Sequence, residues 1–473
     1  MNIEKNYLKN SLFYPVTFIC MISFLLCFFS VKISVLIGIA LAFWIIMRAK
    51  PDALLGLLLL YFMRYHFYYT GADSSGNTPE MFRQVLSFAG FPLEVETLAC
   101  FFIALRVVME VFLNPETFRN KFPLAIFYLW LLAFLPVLTG LYYQLGIRSF
   151  NWTGGIRYLM ITGSYFYGYI LAENWPKGEN KFLLYLLLPL VSVMLLLMNL
   201  HWFWSHHGFL FLGLGGAFSV YLLSRKRAYM FGAGIFLSVL CIRCALSMTI
   251  TIMLIVLLAV FLTCISIIET KFISGIRDNI VKLAGIVVVL GAFVFTLYII
   301  YYGLNSDYDP TAMYGTYDGT FIERLEAKLF SDRLPLWIAA ARQILNEPEF
   351  LIPSVRYLEV PGHNNVWMVS CHNSILEALR VNGLFSGTIM LIIIFFALKN
   401  SVKILRESKD AVLKSVTAGV LGTAVVGIMT GNFPINMTVG FWIWALLALC
   451  HGIFLKDTEP LDLPAKEKGG ETG

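Results

Sequence analysis

Apolar runs of membrane length follow one another along most of this chain, and they leave few folds open. Leu124–Tyr143, Phe182–Leu200 and Thr249–Ile268 contain no charged residue, and Ile280–Tyr301 contains only Lys282. A hydrocarbon core about 30 Å thick takes about 20 such residues per crossing when they are wound into a helix. The composition agrees: 59% of residues are hydrophobic and 14% charged, against about 45–50% and 25% in soluble domains. The sequence therefore predicts an all-α polytopic membrane protein with about 12–14 transmembrane helices.

Taken in order, the predicted spans are Leu12–Phe29, Ile33–Met47, Ala53–Tyr68, Thr97–Leu113, Leu124–Tyr143, Thr153–Ala172, Phe182–Leu200, Phe209–Leu223, Met230–Leu246, Thr249–Ile268 and Ile280–Tyr301. After a long polar interruption come Leu384–Leu398, Ser415–Met429 and Val439–Leu455. The expected organisation is a first helical block over 1–303, a polar loop over 304–380, a second helical block over 381–456 and a disordered tail over 457–473. Lys5 and Lys9 precede the first apolar run, but no small-residue cleavage site follows, so a retained first helix is expected rather than a signal peptide.

Basic clusters occupy alternate links, among them Arg48 with Lys50, Arg119 with Lys121, Arg225-Lys226-Arg227, and Lys399 through Lys414. The positive-inside rule places these links and both termini in the cytoplasm, and places 304–380 outside. Retained basic loops also explain the net charge of +6, so nucleic-acid binding is not indicated. Most of the eight cysteines lie in apolar runs. Cys241 and Cys244 form a Cys-x-x-Cys pair inside a predicted membrane helix, which suggests neither a zinc site nor a disulfide framework.

The polar loop holds two helix signals. Ser331-Asp332-Arg333-Leu334-Pro335 opens an amphipathic segment with a capping residue and an early proline, and its apolar stripe is Leu334, Trp337, Ile338, Ala341, Ile344 and Leu345. Arg333 falls on the side of Trp337 and Ile344, at the end of the buried stripe, where its plainest role is to snorkel to lipid phosphates or to pair with a nearby acid. A second helix is predicted from about Asn373 into the twelfth span. His372, Leu376, Leu379 and Gly383 share one face, and Gly383 and Gly387 are spaced for close packing. Asp307, Asp309 and Asp318 among Tyr308, Tyr314 and Tyr317 suit sugar contact, and equally an ordinary membrane-surface loop. His201, His206, His207, His363 and His372 match no metal-ligand spacing.

Ser331-x-Arg333-x-x-x-Trp337, followed by His372-Asn373-x-x-Leu376, Gly383-x-x-x-Gly387 and closing spans, resembles the O-antigen ligase and O-antigen polymerase family. The likeness covers roughly Phe330–Gly387 by motif and the remainder by its many-span layout. It implies a membrane glycosyltransferase of the GT-C type in the bacterial inner membrane, with its active site facing the periplasm. The donor would be an undecaprenyl-diphosphate-linked glycan and the acceptor another glycan or lipid A–core, in an inverting transfer needing neither metal nor cofactor. Two departures stand out. Ser247-Met248-Thr249 lacks the arginine of the family's mid-span element, with Arg243 one turn earlier, and Leu351-Ile352-Pro353-Ser354 stands where a Gly-Val-Gly is common.

The residue types fit that chemistry. A sugar hydroxyl needs a general base as it attacks, and imidazole is the side chain poised near neutral pH, which makes His372 the candidate. A departing diphosphate needs fixed cations; Arg333, Arg148, Arg157 and Arg243 are the candidates on the outer side. Arg148 is as readily a solvated loop charge, whereas Arg157 and Arg243 lie within apolar runs, where a charge is expensive without an internal role. Asn373, Glu377 and Trp337 are candidates for support of the base or contact with the acceptor. Arg106 and Glu110 are expected to be a plain helix pair. A lipid-linked sugar transporter or flippase would also have many spans and buried arginines, but it would place its polar residues near the midplane, often with repeat symmetry.

Overall fold

The computed structural model describes residues 31–57, 95–115, 124–144, 152–176, 334–346, 371–430 and 437–458, helical pieces at 15–19 and 21–22, four two-residue strands, and single positions at 183, 256, 260, 263, 264 and 267. The helices are α1 Val31–Arg48, α2 Val95–Leu113, α3 Leu124–Gln144, α4 Trp152–Glu173, α5 Leu334–Asn346, α6 Ser374–Glu407, α7 Ala411–Thr430 and α8 Met437–Thr458. The strands pair locally and antiparallel, Ser87–Phe88 with Phe91–Pro92 and Leu358–Glu359 with Trp367–Met368. Among the described residues the fold is thus built of helices.

Three of these helices, α6, α7 and α8, are long and apolar enough to cross a membrane. They correspond to the predicted spans twelve, thirteen and fourteen and run beyond the apolar runs at their ends. At the α6–α7 turn the Ser408 N–H donates to the Ile404 carbonyl, and Asp410 Oδ1 accepts from the Leu413 N–H at 2.8 Å. These contacts satisfy backbone groups that a helix end leaves open. Helices α1 to α4 match the second, fourth, fifth and sixth predicted spans. The predicted spans from Phe182 to Tyr301 lie outside the described residues apart from a few single positions, as do most of 304–380 and the tail.

The core forms where α4 and α8 run side by side in the same direction, the most extensive helix contact described. Small residues permit it. A Cβ on Gly168 would stand 2.8 Å from Ala448 Cβ and 2.9 Å from the Leu449 nitrogen, and Gly452 closes on Ala172. Gly168 with Ala172, and Ala448 with Gly452, are thus small residues four apart on each helix, the pattern that lets membrane helices approach when no water drives them together. Around this seam, Trp130 of α3 donates to the Leu159 carbonyl and to Thr162 Oγ1, while Phe127 meets Phe166 edge to face. A buried polar chain crosses three helices: Asn400 Nδ2 donates to Tyr165 Oη, which contacts Tyr169 Oη, which lies 2.7 Å from His451 Nδ1.

The ends of α1, α4, α6 and α8 gather at one end of the bundle. Asn174 Nδ2 donates to the Ala49 carbonyl just past α1, Lys456 Nζ donates to the Glu173 and Trp175 carbonyls just past α4, and Lys403 of α6 lies over Phe454 of α8. Arg48, Lys50, Lys403, Arg406 and Lys456 therefore share that end, and the start of α6 lies at the other. Arg106 and Glu110 of α2 form the expected i,i+4 pair. A Gly168→Ala substitution should force α4 away from the α8 backbone and cost about 1–3 kcal/mol. The check is the thermal midpoint of the purified protein followed by size-exclusion fluorescence, which should fall clearly below wild type.

Candidate functional site

The head of α6 is built on a chain reversal. Gly383 has φ 74° and ψ 166°, a conformation open almost only to glycine, and it breaks α6 into a head, 374–382, and a shaft, 384–407. A Cβ at Gly387 would stand 2.5 Å from the Ala378 carbonyl oxygen and 2.8 Å from Leu379 Cα. The expected pair of glycines is therefore used differently from the expectation. Gly383 is the break itself, and Gly387 receives the backbone of the head folding onto the shaft, in place of a continuous helix packing on a neighbour. Asn382, fully buried beside the break, donates through Nδ2 to Met390 Sδ, and its Oδ1 accepts no hydrogen bond among the described residues.

The helix starts where the sequence predicts. Asn373 is the N-cap, with Oδ1 accepting from the Ile375 and Leu376 N–H groups at 3.0 and 3.3 Å. Just before it, His372 is half-buried and held at φ 53°. A left-handed conformation is uncommon for a residue with a Cβ, although histidine adopts it more readily than most, and strain of this kind collects at functional sites. Leu376 and Leu379 are likewise half-buried, so the face shared with His372 is partly open.

Beneath that face is a closed ion pair. Glu377 is 1% exposed and Arg380 3%. Arg380 Nη2 donates to Glu377 Oε1 at 2.6 Å and Nε to Oε2 at 3.3 Å, and the Cys371 N–H also donates to Oε2 at 3.1 Å. Glu377 thus ties the residue before His372 to the first turns of the helix after it. Burial, with the Glu377 carboxylate second, holds the Cys371 thiol well above its usual range and keeps it neutral. Ser374 Oγ donates to the Gly427 carbonyl and fastens the head to α7.

Helix α5 lies on this head. Leu336, Trp337 and Ala340 pack with Cys371, and Ala339 and Leu376 border the contact. The early proline, Pro335, is the second residue of α5, as the sequence predicts. The buried face differs from the predicted stripe. Leu336 and Ala340 are buried with Trp337, Ile338 and Ala341, whereas Leu345 is 62% exposed. The N-terminal half of α5 is enclosed on more than one side and its C-terminal end is not, so a single stripe along the whole helix does not describe it. The Trp337 indole N–H is buried and makes no hydrogen bond among the described residues.

Of the candidates from sequence, the structure brings His372, Asn373, Glu377 and Trp337 into one neighbourhood. Arg148, Arg243 and Arg333 lie outside the described residues; Arg333 directly precedes the first residue of α5. The backbone of Arg157 lies in the first half of α4, and its side chain is outside the description. Arg380 was not singled out by sequence reasoning. Its signal was the three-residue spacing from Glu377, which on a helix makes the two neighbours. Among the described residues no group of three or more His, Cys, Asp or Glu could hold a metal ion. No family model, curated protein or solved structure matches the chain.

A buried pair is costly to break by halves, because the survivor is left charged without a partner. Arg380→Ala should therefore cost about 3–5 kcal/mol, while the double replacement Glu377→Leu with Arg380→Met should cost distinctly less. Comparing the unfolding midpoints of the two variants in detergent checks this.

Proposed function

We propose that this chain is a bacterial inner-membrane glycosyltransferase. In this reading it transfers a glycan from an undecaprenyl-diphosphate carrier to an acceptor sugar on the periplasmic side, in the manner of an O-antigen ligase. The observation that carries the proposal is the Cys371-His372-Asn373 junction. A half-buried histidine stands in left-handed backbone at the start of α6, at the end of the bundle away from the basic links, with α5 packed against its neighbour Cys371. The motif resemblance supplies the reaction, and the positive-inside rule supplies the side of the membrane.

His372 acts as the general base. The acceptor hydroxyl oxygen attacks the anomeric carbon, its proton passes to the imidazole, and the bond from that carbon to the diphosphate oxygen breaks with the electron pair leaving on the diphosphate. A single displacement inverts the anomeric centre. Arg333, placed one residue before α5, meets the growing negative charge, with Arg148, Arg157 and Arg243 as further cations. The family's reaction needs no cofactor. The Trp337 N–H, which has no partner among the described residues, is a donor of the kind that a sugar or phosphate oxygen would fill.

Losing a general base costs roughly a hundredfold to ten-thousandfold in rate. His372→Ala should therefore abolish measurable transfer from a polyprenyl-diphosphate glycan while membrane insertion stays normal. Full activity in that variant would remove His372 from the mechanism. If Arg333 grips the diphosphate through two parallel N–H donors, Arg333→Lys should lose roughly tenfold or more in turnover. Wild-type turnover would make Arg333 an anchor only. Product length with purified components then identifies the acceptor. One-step joining to lipid A–core fits the ligase reading, and a ladder of repeat units fits the polymerase of the same family.

A further inference from the structure

The far end of α6 carries a stripe unrelated to the head. Phe395, Lys399, Lys403 and Arg406 follow at helical spacing and share one face. Phe395 is 61% exposed, and all three cations are exposed, while Ala397, Ser401, Ile404 and Leu405 on the other faces are buried. The stripe therefore runs outward from an apolar surface directly into a cationic one. At about 1.5 Å per residue, Phe395 lies about 6 Å below Lys399, and the three cations extend over about 10 Å.

The lysine stems are held along aromatic surface. Lys399 Nζ lies 5.7 Å from the Phe396 ring centre, and Lys403 Nζ lies 5.8 Å from that of Phe454 on α8. Opposing charge is limited. Glu407 Oε2 is 4.0 Å from Lys403 Nζ, at the outer limit of an ion pair with both groups about half exposed. Asp410 uses Oδ1 to cap α7. Among the described residues, three cations thus share a face with one loosely held carboxylate, and Lys409 beyond them is also exposed.

We infer that this face binds the headgroup of an anionic phospholipid whose acyl chain lies along Phe395. Charge complementarity selects the headgroup. The apolar step immediately below selects a lipid over a soluble polyanion, because a nucleic acid or an acidic peptide would leave Phe395 uncovered. Phe454 places Lys403 at the α6–α8 boundary, so a bound lipid would touch both α6 and α8.

The test uses the full-length protein in nanodiscs containing equal phosphatidylglycerol and phosphatidylcholine, with retained lipid counted by native mass spectrometry after release. Wild type should retain phosphatidylglycerol preferentially, and the preference should fall about fivefold for each cation removed from Lys399→Gln, Lys403→Gln and Arg406→Gln. Glu407→Gln, which removes the competing carboxylate, should raise it. Equal enrichment in wild type and in the triple variant overturns the inference, as does an unchanged preference in Glu407→Gln if the triple variant does not fold. Displacement of the lipid by inorganic phosphate at matched ionic strength would indicate a free-phosphate site and also overturn it.

Discussion

The reversal at Gly383 determines what the start of α6 can be. A continuous helix from Ser374 to Glu407 would be about 50 Å long and would carry its first turns past the bundle. With φ at 74° the chain instead folds its head down, and the absence of a side chain at Gly387 lets the Ala378 carbonyl come into contact with the shaft. The packing of the candidate site rests on this geometry. The head is pressed against protein, so Glu377 and Arg380 are buried together, and α5 gains a surface on which to lay Trp337.

Contacts from α3, α4 and α8 hold that shaft in the bundle. Ser386 Oγ donates to the Ala133 carbonyl of α3, and Asn400 enters the tyrosine and histidine chain shared by α4 and α8. Side-chain hydrogen bonds between membrane helices contribute modestly, roughly 0.6 to 2 kcal/mol each. Their larger consequence is register, since a polar group displaced by one turn would face hydrocarbon without a partner. The same register brings the ends of α1, α4, α6 and α8 together, where Lys456 and Asn174 satisfy the carbonyls that the helices leave open.

Much of this was legible in the sequence because a membrane reduces the choices. The three closing helices, the start of α6 near Asn373, the proline at the start of α5 and the Arg106–Glu110 pair all follow from local rules about apolar length, helix starts and spacing. What could not be read depends on contacts between distant residues. The two glycines of Gly383-x-x-x-Gly387 are equally good as a packing stripe or as a hinge and its seat, and only the fold-back of the head decides between them. The exposure of Leu345 and the burial of Leu336 likewise depend on where α5 lands. His372 illustrates the boundary: its type and position were visible, its left-handed backbone was not.

The arrangement at the junction also bears on which group takes the proton in the proposed reaction. Glu377 is the carboxylate nearest to His372 in sequence and would be the natural rival. Both of its oxygens are engaged by Arg380, Oε2 also accepts the Cys371 N–H, and the residue is 1% exposed. To accept a proton from a sugar hydroxyl it would have to surrender an arginine in a buried place, which costs several kcal/mol. Cys371 is buried and neutral, and Asn373 is spent on the cap. Each of these neighbours of His372 is thus engaged in holding the backbone around it, and the proposed base role rests on the half-buried position of the imidazole at the head of α6. The ion pair serves the histidine indirectly, by fixing the residue before it and the helix after it.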